Sequence, residues 1–408
     1  MDVFTIIALL LTLAALFSYL NEQTLKLPTT VGLMLFALIA SIAIIALDAL
    51  GLNIKEWAAD ILNKIDFNKA LLQGMLSYLL FAGALHININ DLHQQKTIIA
   101  LLASIGLIIS TVIVGLITWL VLQWAGFGLP LIWCLVFGAL ISPTDPIAVI
   151  GILKTVGAPK TLETKIAGES LFNDGVAVVL FIVLFEIATG SSEPSITHIL
   201  VLFVQEAVGG ALFGLITGYI AYRMLRSVNN YSVEILITLA LVSGGYALAN
   251  SMHLSGPIAM VVAGLLIGNH GRAFAMSDKT RDHLDTFWEL IDEILNAVLF
   301  VLIGLEVLIL TFSGKLFIVS VLMIPGVLMA RFISVGIPIS LMRLKRSFSP
   351  NVIKILTWGG LRGGISVALA LSIPQGYARE LIVPITYSIV VFSILVQGLT
   401  VGRLIKST

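Results

Sequence analysis

Charge is scarce in this 408-residue chain: Asp, Glu, Lys and Arg make up 11% of it, less than half the roughly 25% of an ordinary soluble domain. A surface so poor in charge cannot face water all round, which points to a protein that crosses a lipid bilayer many times. Neither sign is in excess, since 23 basic and 23 acidic residues leave no net charge, and this removes the electrostatic case for a nucleic-acid partner. A single cysteine, Cys134, excludes a disulfide framework and a thiolate metal site and reads as a packing residue in its apolar run. The patterns GxSxG, HExxH and the P-loop are missing, so no hydrolytic or nucleotide-driven chemistry is indicated. The chain is read as a non-enzyme without a cofactor. The opening Met1-Asp2-Val3-Phe4 lacks the basic stretch of a secretory signal, so the first apolar run is expected to be retained as a span.

What the chain has in abundance is apolar residues, 58% of the total, arranged in runs near the roughly 20 residues that cross a bilayer. Read between polar breaks, they predict an all-α polytopic fold of about thirteen spans: 3–20, 28–48, 69–87, 97–123, 131–153, 163–189, 197–222, 232–250, 254–268, 288–311, 316–341, 352–374 and 381–403. The ninth is the shortest. Gly210, Gly214 and Gly218 recur every four residues on the seventh, a small-residue face suited to close packing. Loop charge predicts orientation. Sixteen Lys and Arg lie on the side shared by the loops after the odd-numbered spans and the C-terminus, against five on the other side. The positive-inside rule then places the C-terminus in the cytoplasm and the N-terminus outside, in a cell (inner) membrane.

The sixth span carries Gly168-Glu169-Ser170-Leu171-Phe172-Asn173-Asp174 in mid-membrane, where a carboxylate costs about 2.5 to 3.5 kcal/mol on insertion scales. At about 100° per residue Ser170 and Asp174 share one face and Glu169 and Asn173 another, so the two acids are not one pair. Asp174 with the hydroxyl one turn away suggests half of a cation site, whereas Glu169 needs a cationic partner. The fifth span holds Ser142-Pro143-Thr144-Asp145-Pro146, and two prolines around an acid cannot continue a helix, which frees carbonyls such as that of Thr144. The twelfth holds Gly359-Gly360-Leu361-Arg362-Gly363-Gly364, expected to be irregular as well. Broken backbone at membrane depth is tolerated only where it is buried in protein or lines a watery cavity. Asp145, Asp174, Arg331 and Arg362 all fall about 10 to 15 residues from the ends of their spans, near the midplane at about 1.5 Å per residue. Arg331 is the natural partner of Glu169, because burying a pair costs far less than burying either charge alone. Arg362 is expected to offset the negative ends of the broken helices and the nearby carboxylates. Asp292, Glu293 and Glu306 are placed near span ends, solvated or interfacial, and His86 and His93 at the cytoplasmic edge.

A weak internal repeat relates Gly83-Ala84-Leu85-His86 to Ile303-Gly304-Leu305-Glu306, and Phe137-Gly138-Ala139-Leu140 to Trp358-Gly359-Gly360-Leu361. Both offsets are close to 220 residues and seven spans. An odd number of spans inverts one half relative to the other, the arrangement with which secondary transporters build a midplane site from two interrupted helices.

Taken together, the three motifs resemble the cation/proton antiporters of the NhaP and NHE type along the whole membrane domain. The resemblance implies a homodimer of thirteen-span subunits, with 97–189 and 316–408 as a moving transport core and 1–96 and 190–315 as the dimerisation scaffold. It likens Asn173-Asp174 to the asparagine-aspartate motif of the electroneutral branch. The large regulatory tails of animal exchangers have no counterpart in these residues. The implied activity is exchange of sodium or lithium for protons, which compete for a site of Asp174 and Asp145 helped by Ser170, the Thr144 carbonyl and Asn173. Glu169, Arg331 and Arg362 would compensate charge. A potassium-preferring antiporter is the nearest alternative, and a passive cation channel, which would use similar oxygen ligands, a distant one.

Overall fold

The thirteen apolar stretches each carry a helix, continuous or broken, in a computed structural model that describes residues 3–52, 54–63, 67, 69–190, 201–310, 313–344, 348 and 351–406. The described residues form no strand beyond one isolated bridge, and eight of their helices are individually long and apolar enough to cross a membrane. Helices α1 (Val3–Gln23) and α2 (Thr29–Leu47) pack against each other, and α3 (Ile54–Asn63) is a short helix in a gap that the hydropathy reading left as loop. Helix α4 (Leu76–Leu85) follows a π-helical turn.

The fourth span differs from its prediction. It begins at Ile89, where Asn88 Oδ1 accepts from the Asn90 amide at 2.8 Å, and runs to Trp124 as α5 (Ile89–Leu101) and α6 (Leu107–Trp124). A π-helical stretch, Leu102–Gly106, joins the two. An asparagine cap starts a helix wherever its side chain can take up the first free amides, and hydropathy does not register it.

Next come α7 (Leu131–Ile141), α8 (Ile147–Val156) and the 30-residue α9 (Lys160–Thr189), which ends at Gly190 in the left-handed conformation, φ 70°. Helices α10 (Gly210–Ser227), α11 (Tyr231–Ser251) and α12 (Gly256–Leu266) follow. The glycine stripe on α10 faces α12. A Cβ at position 214 would lie 2.2 Å from the Ala259 carbonyl oxygen, so the helices touch backbone to backbone, as small-residue faces allow.

Helix α13 (Asp278–Glu306), capped by Ser277, packs along α2 and α4. Helix α14 (Gly314–Met342), capped by Ser313, packs on α6. The second broken span is α15 (Val352–Trp358) and α16 (Gly364–Ser372), and the chain closes with α17 (Tyr377–Phe392) and α18 (Gly398–Lys406). Cys134 is fully buried.

Candidate functional site: two crossed helix breaks

The prolines at 143 and 146 end α7 at Ile141 and let α8 begin only at Ile147, leaving Ser142–Pro146 non-helical. Glycines 359, 360 and 363 do the same between α15 and α16. The two breaks meet where the Asp145 amide donates to the Leu361 carbonyl at 2.8 Å, in an antiparallel bridge. Amides and carbonyls released from the helices thus find partners in each other, the condition for non-helical backbone away from water.

Both breaks leave the C-terminal end of a half-helix pointing into the protein, and each end has a guanidinium. Arg362, 2% exposed, donates from one Nη to the carbonyls of Ser142 and, at 2.9 Å, Pro143, closing α7. Its own amide donates to Ser393 Oγ at 2.9 Å. Arg331, on α14, donates to the Leu356 carbonyl of α15 at 3.3 Å and pairs with Glu169 at 2.5 Å. A cation at a helix C-terminus offsets the partial negative charge of its free carbonyls. Gln397 Nε2 adds a further donor to α15, to the Trp358 carbonyl at 2.9 Å.

Helix α9 meets the first break along one face. Ser170 Oγ donates to the Thr144 carbonyl, Asn173 Nδ2 donates to Thr144 Oγ1 at 2.9 Å, and the Thr144 amide approaches Asn173 Oδ1 at 3.4 Å. Asn173 therefore grips Thr144 from both ends of its amide. Asp174, 7% exposed, stands next to this face, close enough to Asp145 for the two carboxylates to repel. Asp145 sits on Gly363, where a Cβ would lie 2.0 Å from its Oδ2. The structure thus brings Asp174, Asp145, Ser170, Thr144 and Asn173 together, with Glu169 held apart by Arg331 and Arg362 engaged on carbonyls.

Both aspartates line a cavity of about 1900 Å³ whose other lining residues include Lys26, Asn88, Lys160 and Arg272, from the loops after the first, third, fifth and ninth spans. The ring of His86 hydrogen-bonds the Ala82 carbonyl at 2.8 Å, and that of His93 contacts Lys96 Nζ at 3.0 Å. One wall of the cavity escaped the sequence reading. Asp282, Asp285, Glu289 and Asp292 follow one another at steps of three and four along α13 and face it together, with Glu293 beside them. The apolar run starts at 288, which puts Asp292 and Glu293 near a span end when the sequence is read alone. The helix starts ten residues earlier, so Asp292 stands midway along it, on the approach to Asp145. The spacing of the four acids was the available signal. Glu306 does close its helix, half-buried.

Residues 9–407 match the family described as "Sodium/hydrogen exchanger, transmembrane". The chain is 50% identical over 406 residues to the Na(+)/H(+) antiporter NhaP of Pseudomonas aeruginosa, covering 98% of this chain and 96% of that one. It is 34% identical to the Na(+)/H(+) antiporter NhaH of Halobacillus dabanensis, covering 99% and 98%. The solved structure of the sodium proton antiporter MjNhaP1 of Methanocaldococcus jannaschii shares the fold, with a TM-score of 0.77 at 21% identity over 100% of this chain and 99% of that one. An all-helical membrane protein with two crossed helix breaks, matched in sequence over nearly its whole length, this chain belongs to the sodium/hydrogen exchanger family.

Proposed function

We propose that the protein exchanges sodium or lithium for protons across the cell membrane, and that ion and proton compete for Asp174 and Asp145. The observation that carries this reading is the meeting of Asp174, Ser170 and the Thr144 carbonyl at a helix break beside Asp145, at the floor of an open cavity. Hard cations select oxygen ligands, and these four residues supply two carboxylates, a hydroxyl and a carbonyl. The Ser170 hydrogen now points at the Thr144 carbonyl. Turned away, it would leave both oxygens to an ion. Asn173 acts through Thr144, holding the break in place. When the ion leaves, a proton takes its place. Either cargo reduces the site's charge enough for it to move past lipid, whereas the empty, doubly ionised site is too costly to carry.

The spans number thirteen in this reading, with 97–189 and 316–408 as the moving core, 1–96 and 190–315 as the scaffold, and the subunit as half of a homodimer. The positive-inside orientation places the N-terminus outside and the C-terminus in the cytoplasm. The cavity reaches the loops on the basic side, so this conformation faces inward. One net charge per cargo makes the exchange electroneutral. The test is dequenching of a pH-sensitive dye in proteoliposomes. Sodium and lithium should release protons, and choline chloride should not. A response to potassium alone would make the protein a potassium/proton antiporter, and cation flux without counter-movement of protons would make it a channel.

A further inference from the structure

Asn296 lies one turn beyond Asp292 on α13 and is 3% exposed; its amide Nδ2 leans on the Asp292 carboxyl, and its Oδ1 has no partner. Ser366, on α16, is 1% exposed and its hydroxyl is likewise without a partner. Leaving such groups dry and unpaired is costly, so their occurrence on one cavity calls for an occupant. Both line the cavity that holds Asp145 and Asp174. Their helices are in contact: Gly364 is pressed against Leu299, leaving no room there for a Cβ, which sets the first turn of α16 on the Asn296 stretch of α13. Asp292 adjoins Asn296 and is near enough to Asp145 for their charges to interact.

We propose that Asp292, Asn296 and Ser366 form a second monovalent-cation site, between α13 and α16, from which the ion passes to Asp145 and Asp174. The proposal rests on the reading of those two aspartates as the exchange site. Its ligands repeat the chemistry of the first site: an acid and a neutral oxygen four residues apart on one helix, completed by an oxygen from a broken span. One carboxylate with an amide and a hydroxyl oxygen suits a singly charged ion that keeps part of its water. Among the described residues no three of His, Cys, Asp and Glu are grouped to hold a metal ion, which argues against a divalent occupant. The site gives an incoming ion a place to wait while Asp174 carries its proton.

The test is saturable binding of radioactive sodium to the purified full chain, read by scintillation proximity. In Asp174→Asn, binding should persist. Adding Ser366→Ala or Asn296→Leu should then weaken it at least tenfold, and adding Asn296→Asp should tighten it. Ser366→Ala removes a single oxygen and decides the matter if Asn296→Leu does not give a monodisperse protein. Complete loss of binding in Asp174→Asn, with binding in the unaltered chain, would mean that the pocket holds only water and would overturn the second site alone. Residual binding indifferent to residues 296 and 366 would overturn it too. An unaltered chain that binds no sodium and shows no sodium-driven proton flux would overturn the proposed function with it.

Discussion

Glu169 and Arg331, 162 residues apart in the sequence, meet at 2.5 Å, and both are more than nine-tenths buried. Breaking a buried pair by removing one partner leaves an uncompensated charge and costs about 3 to 5 kcal/mol. Glu169→Gln and Arg331→Gln should each lower the melting temperature in detergent. The double variant should recover part of the loss, though not all, because Arg331 also holds the Leu356 carbonyl. Strictly additive effects in this double-mutant cycle would show that the contact carries no coupling energy.

Asp174→Asn should abolish sodium-driven proton flux while leaving the melting temperature within a few degrees of the parent. It removes the one group of α9 proposed to alternate between ion and proton, and it also removes a buried repulsion with Asp145. Flux in this variant at ordinary protein levels would refute the role given to Asp174.

Gly363→Ala is the least disruptive way to move Asp145. Its backbone, φ −128°, is extended and open to alanine, so the change acts through the new methyl group, which would fall on the Asp145 carboxylate and within 2.6 Å of its Cβ. The sodium concentration for half-maximal flux should rise at least tenfold with little change in folding. An unchanged sodium dependence would mean that the carboxylate's present position is immaterial to transport.

Exchange should be indifferent to membrane potential. In the proposed mechanism, with asparagine at 173 and Glu169 held by Arg331, Asp174 and Asp145 together carry one proton or one monovalent cation. About 2.3 kcal/mol per charge is available at 100 mV, enough to change rates steeply if net charge moved. Initial rates in liposomes clamped with potassium and valinomycin should agree at positive, zero and negative potentials. A steep dependence would mean a second proton travels with each cycle.

The parts of this molecule that lipid constrains could be read from the chain. An apolar run of bilayer length leaves few alternatives to a helix, and the prolines at 143 and 146 cannot continue one, so the first break was visible as a local fact. The pairing of Glu169 with Arg331 could be argued by elimination, since lipid leaves few charges to choose from. The parts that water constrains were harder. The cavity admits polar residues to mid-membrane depth, so the acids of α13 looked like a loop approaching a span, and the helix start at Asp278 was missed with them. Ile89 escapes in the same way, because a cap written in one asparagine outweighs the six polar residues between it and Thr97. The free Oδ1 of Asn296 and hydroxyl of Ser366 have no signature in sequence, since what marks them is the partner each lacks.

The mutual pairing of the two breaks also sets the order in which the protein can be made. Ser142 and Arg362 are 220 residues apart, and ribosomes add about 5 to 20 residues per second, so about 10 to 45 s separate the synthesis of the two. For that interval the first break has been made and its partner has not, with the carbonyls of Ser142 and Pro143 and the amide of Asp145 lacking the groups that will bind them. The nascent first half must find temporary company for these groups, in water or in the insertion machinery, and the crossing of the two breaks is among the last features of the molecule to be completed.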